Sequence, residues 1–551
     1  MRLGQEISTF IKMRIVVIVF MLFSLAYLFL FFNQGINVYD EGIVVYGATR
    51  ILDGDIPYKD FWAIYSPAQF YVIAGVFKIF GTTIIIARIW STLIRFSLLI
   101  VSYSIARKFV SQTYAFIASI LILIWLGSYQ FYESAMPTAL LFSLLSFLSL
   151  MNFMSKRLKR WLFLSGVLVG VAALFRQDIG FYAFMSTALV VLPFVFVNET
   201  FKDERYARRF LHLLRFGSCF AAGTIIITLP VLIYFLRAVP SEDLVYDFFT
   251  FPVKIYPAFR SLPYPAPIPN PTLIFAGSLS LGQYVQGALQ LLPLYLPLLI
   301  YALFILVLGI RIRKRVFDWK QRNIWGLIFI LLFGLMCLNH VRIRTHISHL
   351  MATFIPAILL YVVLFSFVPK SRKFRPVVWI SFILLGYSFI GASVEKTKTL
   401  LNSRFFLQNK HFYSIERARG IFETNRWFSD RQNAIQYIQK KVPANEKIYV
   451  GNKRHDQIIW NDIIFYFLSN RHSATKYYDL HPGVATTDEI QEKMIDDIET
   501  DKVKFIVLFE RKIGKRWESN RIGSRLLDNF IRDNFTQEKQ FGIYTIWKRN
   551  Q

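Results

Sequence analysis

Apolar runs long enough to cross a lipid bilayer recur from Arg14 to Glu395, and no other feature limits the fold of this chain so strongly. A helix needs about 20 apolar residues to span about 30 Å of hydrocarbon, where only helices and closed barrels satisfy their own backbone polar groups. The runs lie near 15–32, 84–106, 112–127, 135–153, 161–175, 179–197, 211–236, 285–310, 324–341, 347–368 and 377–394. Only 18% of the residues are charged and 55% are hydrophobic, whereas a soluble domain carries about a quarter charged residues. The expected fold is an all-α polytopic membrane domain of about eleven transmembrane helices over residues 1–395. A C-terminal α/β domain is expected over 396–551, where the sequence turns polar and mixed. The first run shows no small-residue cleavage site, so it is expected to be a retained span rather than a signal peptide.

The formal charge of +28 raises the question of an acidic partner. With the N-terminus on the cytoplasmic side, the inter-span segments of that side hold 24 basic and five acidic residues, a surplus of +19. The tail from Lys396 contributes +9, and the remaining charges balance. The excess is therefore mostly the positive-inside pattern of membrane proteins. No basic patch is left over to bind nucleic acid. An odd number of spans then puts the loop after the first helix, the Pro-rich loop at 238–284 and the C-terminal domain outside the cytoplasm. The expected setting is the plasma (inner) membrane. Cys219 and Cys337 both lie inside apolar runs, which suits neither a disulfide framework nor a thiolate metal site.

Between Asn33 and Gly81 the chain is too polar to span and too apolar to be a free loop. The pattern Ile43, Val44, Tyr46, Gly47, Ile51, Leu52 predicts a short amphipathic helix at the membrane interface, and Phe70–Phe80 a second helical piece. Eight prolines between Pro240 and Pro271 favour extended or polyproline-like backbone and exclude a long helix. The aromatics of that loop, Phe248, Phe249, Phe251, Tyr256, Phe259 and Tyr264, suit a groove lining or an interfacial belt. In the tail, helices are expected over Asp430–Lys441, Asp456–Leu468, Thr487–Ile498 and Arg521–Phe535. Strands are expected over Lys447–Val450, Val503–Phe509 and Gly542–Trp547. No dinucleotide fingerprint, Walker loop or metal-spaced His/Cys set occurs there.

Three groups of residues on the outer side can carry chemistry. Asp40 and Glu41 lie just beyond the first span, where repulsion and desolvation raise carboxylate pKa values and suit a general base for a hydroxyl. The competing reading makes Asp40 a helix N-cap. Arg176 and Asp178 occupy the short turn between the fifth and sixth spans, where a snorkelling Arg paired with a capping Asp is the plainer reading. Arg342, Arg344, His346 and His349, with His340, cluster at the outer junction of the ninth and tenth spans. Arginines on this face run against the positive-inside trend, and phosphate is a natural ligand for a guanidinium. The histidines lack an acidic partner for a metal, so no metal residues are assigned.

The motifs Tyr39-Asp40-Glu41-Gly42, Gly54-Asp55-Ile56-Pro57-Tyr58-Lys59-Asp60-Phe61, Ser66-Pro67 with Tyr71, Phe80-Gly81 with Arg88, and Leu174-Phe175-Arg176-Gln177-Asp178 occur in this order. Together they resemble the GT-C superfamily of membrane glycosyltransferases, in particular bacterial relatives of protein O-mannosyltransferases and the lipid A aminoarabinose transferase. The resemblance implies a GT-C-like membrane domain and inverting transfer of a sugar from a polyprenyl-phosphate donor on the extracytoplasmic face. The acceptor would be a lipid-linked glycan, a polysaccharide or a protein hydroxyl. It makes Asp40 the catalytic base with Glu41 in support. Arg176, Asp178, Arg342, Arg344, His346 and His349 become the lipid-phosphate site, and Asp60 and Tyr65 line the first-loop donor or acceptor pocket. No cofactor is firmly implied, because some relatives use a divalent metal and others do not. A transporter or flippase for a lipid-linked saccharide is the alternative, kept open by Arg88 and Arg95 within the second span. A non-catalytic scaffold is a third reading.

Overall fold

The structure, a computed structural model, describes residues 2–128, 135–197, 206–266, 280–314, 321–367, 376, 410–424, 427–458, 460–510 and 523–551. Helices occupy the positions of the first ten apolar runs: α1 (Arg2–Phe29), α4 (Ile84–Phe109), α5 (Gln112–Ser128), α6 (Met136–Lys156), α7 (Lys159–Phe175), α8 (Gln177–Val197), α9 (Tyr206–Ala238), α12 (Leu281–Arg313), α13 (Arg322–Ile343) and α14 (Met351–Phe367). Among the described residues seven helices are long and apolar enough to cross a membrane, with shorter apolar helices at Arg14–Phe29, Ala68–Phe80 and Gln112–Gly127. The eleventh expected span, 377–394, and the domain boundary at 396 lie outside the described residues.

Each long helix ends where the sequence stops supplying apolar residues. Arg157 takes a left-handed conformation (φ 58°) to end α6 within a basic turn, and Thr83 caps α4 by accepting from the Ile86 amide. Where two helices touch backbone to backbone, glycine is required. A Cβ on Gly166 of α7 would meet the Phe220 carbonyl at 2.1 Å, and one on Gly223 of α9 would meet the Phe163 carbonyl at 2.2 Å.

The segment after α1 departs from the expected interfacial helix. Helix α2 (Asp40–Leu52) is buried from Glu41 to Arg50, so it is an internal element. The C-terminal region covers it. Ile464 donates to the Val38 carbonyl (3.0 Å) and Ser473 to the Tyr46 hydroxyl (2.6 Å). Tyr46 stacks on Tyr466 and meets Tyr478 edge-on. Gly42 is where the two backbones approach, since a Cβ there would stand 2.6 Å from the Ile464 nitrogen. Helix α3 (Ala68–Phe80) follows and ends at Gly81 with φ 100°.

The first part of the Pro-rich loop is also helical, contrary to expectation. After α10 (Ser241–Val245) comes a π-helical stretch (Tyr246–Ile255) and then α11 (Tyr256–Arg260). The wider π winding accommodates Pro252, whose ring lacks an amide donor, and Pro257 sits in the first turn of α11, where no donor is needed. Residues 267–279 are outside the described set.

The tail contains a two-stranded pairing of β1 (His411–Phe412) with β2 (Phe422–Glu423) and a four-stranded sheet in the order β3-β4-β6-β5. β3 (Tyr449–Asn452) runs parallel to β4 (Phe505–Phe509), while β6 (Tyr544–Arg549) is antiparallel to β4 and to β5 (Phe535–Phe541). The helices are α15 (Trp427–Lys441), α16 (Ile464–Ser469), α17 (Asp488–Thr500) and α18 (Leu526–Asn534). The helix expected over Asp456–Leu468 is reduced to α16, because side chains before it compete for the backbone. Asn461 donates to the Val450 and Tyr478 carbonyls, and Asp456 takes Arg454 and Arg525. Strand β5 was not expected, since its exposed Thr-Gln-Glu-Lys-Gln stretch has no alternating apolar residues.

Candidate functional site

Asp40 is the first residue of α2 rather than its cap. The capping oxygen belongs to Asn37, whose Oδ1 accepts from the Tyr39 (3.2 Å) and Asp40 (3.1 Å) amides. This frees the Asp40 carboxylate, which among the described residues takes the Asn37 side-chain amide at 3.2 Å. Asp40 remains open to solvent although protein surrounds it, so it stands in a recess. That crowding pushes its carboxyl above the ordinary range, against the pull of Asn37, Arg260, Arg344 and His346. A base with a raised pKa that a ligand can still reach suits proton abstraction from a hydroxyl.

Glu41 turns the other way. Its carboxylate is buried on Arg88 of α4, accepting from Nε at 2.6 Å and from the second guanidinium nitrogen at 2.7 Å. Arg88 also donates to the carbonyls of Phe32 (2.9 Å) and Gly35 (2.7 Å). The pair therefore clamps the end of the first span and the start of α2 onto α4. Arg88 has its function in this clamp. Arg95 donates to the Leu126 carbonyl (3.0 Å) and to Thr92 (3.1 Å). Both arginines that kept a transport pathway open are thus engaged in the packing of helices.

Around Asp40 the fold gathers cations from distant parts of the chain. Residues 262 and 343–345 form a short backbone pairing, with Leu262 donating to the Ile343 carbonyl (3.2 Å) and Thr345 to the Leu262 carbonyl (2.8 Å). The pairing sets Arg260 beside Arg344, whose guanidinium donates to the Arg260 carbonyl at 2.6 Å. Burial, together with the charge of Arg260, holds the Arg344 guanidinium below its usual range. The Arg260 guanidinium lies 5.8 Å from the ring centre of Tyr39. Two adjacent cations beside one carboxylate have a residual positive field that favours an anion.

The other turn residues join the same group. Arg176 pairs with Asp178 at 2.7 Å and lies over the Tyr65 ring at 5.7 Å. His340 Nε2 comes within 2.9 Å of the same carboxylate, but without hydrogen-bond alignment. Tyr65 lies within electrostatic reach of Asp40 and Arg176, and His349 within reach of Arg344 and Arg176. Ser66 bonds to Gln177, so the first loop is tied to the turn before α8. Asp60 is not part of this gathering: its carboxylate caps the preceding turn by accepting from Ile56 (2.7 Å), and its carbonyl takes Arg50 (3.1 Å). Arg342 is exposed and donates to Asn339 at 3.0 Å.

The C-terminal region contributes two buried groups beyond the reach of sequence reasoning. Asp479 faces Tyr39, Arg260 and Asp40, and burial pushes its carboxyl up to about 7. His481 packs among Phe251 (4.8 Å), Tyr256 (5.8 Å) and Trp62 (5.9 Å). Arg260 also escaped the sequence, since proline density in its loop hid a helical turn, whereas Tyr256 was among the aromatics expected to line a groove. The one available signal was an arginine on the outer side, the signal that marked Arg342 and Arg344. Among the described residues no cluster of three or more His, Cys, Asp or Glu is placed to hold a metal ion.

Residues 65–234 match the family described as dolichyl-phosphate-mannose-protein mannosyltransferase. A comparison with curated protein sequences finds no match. Among solved structures, ArnT from Cupriavidus metallidurans bound to undecaprenyl phosphate is 14% identical with a TM-score of 0.55, over 96% of this chain and 97% of that one. The same protein in the apo state is 12% identical with a TM-score of 0.52, over 98% of each chain. The chain therefore has the ArnT fold, and a segment of it matches the mannosyltransferase family; both bear out the resemblance to GT-C membrane glycosyltransferases drawn from its motifs.

Proposed function

We propose that this protein is an inverting glycosyltransferase that takes a sugar from a polyprenyl-phosphate donor at the extracytoplasmic membrane face. The observation that carries the reading is the pair of cations beside Asp40: Arg344 donates to the Arg260 carbonyl at 2.6 Å, and the Arg260 guanidinium lies 5.8 Å from the ring centre of Tyr39, the residue before Asp40. The acceptor is a hydroxyl of a glycan, lipid or protein. Asp40 takes the hydroxyl proton while the acceptor oxygen attacks the anomeric carbon. The bond from that carbon to the phosphate oxygen breaks, and its electron pair leaves on the lipid phosphate. Arg260 and Arg344 stabilise the charge that develops there. Arg176, held by Asp178, flanks the same region through Tyr65. Glu41 acts as a positioning residue through Arg88. Residues 1–395 form the membrane domain and 396–551 the extracytoplasmic domain, with the N-terminus cytoplasmic. No step of this mechanism is routed through a metal, and a divalent ion remains compatible with the resemblance.

The test uses purified full-length protein with undecaprenyl-phosphate-linked sugars and reads release of undecaprenyl phosphate. Asp40→Asn should lower turnover by about 10²–10⁴-fold, the contribution of a positioned base, while still binding undecaprenyl phosphate. Wild-type turnover in Asp40→Asn would refute the assignment. Vectorial movement of the lipid without product would favour the transporter alternative.

A further inference from the structure

Asp479 is 1% exposed, and neither of its carboxylate oxygens has a hydrogen-bond partner. The buried Tyr39 hydroxyl faces it, close enough to lower its proton affinity but not in hydrogen-bonding geometry with either oxygen. Two residues on, the His481 ring nitrogen Nδ1 lies 2.8 Å from the Pro482 carbonyl. A carbonyl only accepts, so Nδ1 carries the proton and Nε2 is a lone acceptor. That Nε2 is buried and also without a partner. Buried polar groups in folded proteins are almost always paired, and each exception calls for an explanation.

These unpaired atoms share one neighbourhood, since the His481 amide donates to the Asp479 backbone carbonyl at 2.8 Å and the Tyr39 hydroxyl faces the Asp479 carboxyl. They also share a chemical character: three acceptors, one hydroxyl and, among the described residues, no N–H donor in hydrogen-bonding position. A phosphate would repel such a set. A group bringing several O–H or N–H donors would satisfy it. The lipid-phosphate reading already assigns the anion to Arg260 and Arg344, whose charges border this set.

We infer that Asp479, His481 and Tyr39 form a sugar subsite, built by the C-terminal domain, that receives hydroxyl or amino donors of the glycosyl group next to the phosphate clamp. The assignment rests on the glycosyltransferase reading. It gives the C-terminal domain a part in sugar selection. The hydroxyls bound belong either to the transferred sugar or to a glycan acceptor, and the chemistry of recognition is the same for both.

The experiment uses full-length protein in detergent and two probes: undecaprenyl phosphate, and a panel of methyl hexosides and amino-pentosides. Glycoside binding is followed by saturation-transfer NMR and lipid binding by titration. At least one glycoside should bind wild type, and Asp479→Asn should weaken it tenfold or more while undecaprenyl phosphate affinity stays within twofold. Tyr39→Phe should weaken it more mildly, and it serves as the test should Asp479→Asn fold poorly. A wild type that binds no glycoside, or variants that bind glycosides as wild type does, would overturn the subsite. Equal losses for both probes would also overturn it, because Asp479 would then act on the clamp. Failure of wild type to bind undecaprenyl phosphate would instead strike at the glycosyltransferase reading. Hydrolysis of a sugar-bearing undecaprenyl phosphate without acceptor separates the two sources. It falls in Asp479→Asn for a donor-side subsite and is retained for an acceptor-side one.

Discussion

Replacing Glu41 by Gln should destabilise the protein, whereas replacing its neighbour Asp40 by Asn should not. The side chains of Glu41 and Arg88 are 1% and 0% exposed and joined by bonds of 2.6 and 2.7 Å. Removing one partner of a buried ion pair leaves the other charge uncompensated and costs about 3–5 kcal/mol. Gln keeps one acceptor oxygen for the guanidinium but turns an NH₂ towards its second N–H, and Arg88 retains the carbonyls of Phe32 and Gly35. The expected loss is therefore at the lower end, about 3 kcal/mol. Asp40→Asn changes a side chain that is open to solvent and takes the Asn37 amide, so its stability should stay within about 0.5 kcal/mol of wild type. The assay is equilibrium unfolding in mixed micelles, with undecaprenyl phosphate binding measured on the folded fraction. A cycle with Arg88→Met should give a coupling of about 2 kcal/mol or more, since the two residues share one interaction. Glu41→Gln within about 0.5 kcal/mol of wild type, the range of ordinary surface substitutions, would refute the clamp.

Arg260→Ala and Arg344→Ala should each weaken undecaprenyl phosphate binding by about 10–100-fold, the worth of a charge-assisted hydrogen bond. Their effects should be less than additive, and titration at fixed ionic strength checks both. Asp247 donates no proton to Trp62 but accepts its indole N–H at 2.8 Å, and burial pushes its carboxyl from 3.8 up to about 7. Between about pH 4 and 7 the unfolded chain releases this proton while the folded chain keeps it, so stability falls as pH rises, by up to about 4 kcal/mol. Asp247→Asn should remove that share of the slope in melting temperature against pH, leaving the share of Asp479, which titrates over the same window. An unchanged slope would refute the assignment. Gly42→Ala should cost about 1–3 kcal/mol by overpacking, because its methyl group would meet Ile464 and Ile463. Limited proteolysis should then cut between the first loop and the C-terminal region more readily.

The apolar runs determined the positions of the long helices before any packing was considered, because a helix in hydrocarbon must be apolar over its own length. Asp40, Arg176, Asp178 and Arg344 were legible for a related reason: charges beside a bilayer are costly and therefore conspicuous. Other decisions belonged to tertiary structure alone. Adjacent acids at 40 and 41 look equivalent in sequence, yet helix geometry points one into the recess and the other onto Arg88, 47 residues away. Asp60 fell within a matching motif but is used by its own turn. Proline spacing could not disclose that residues 246–255 wind as a π-helix and carry Arg260 to Arg344. Nothing local could show that Asp479, 439 positions after Asp40, comes near enough to feel its charge. The sequence alone determined which segments the membrane selects, since that depends on each segment's own hydrophobicity. Which charged groups face one another was decided only by the folded chain, since that depends on contacts between segments far apart in sequence.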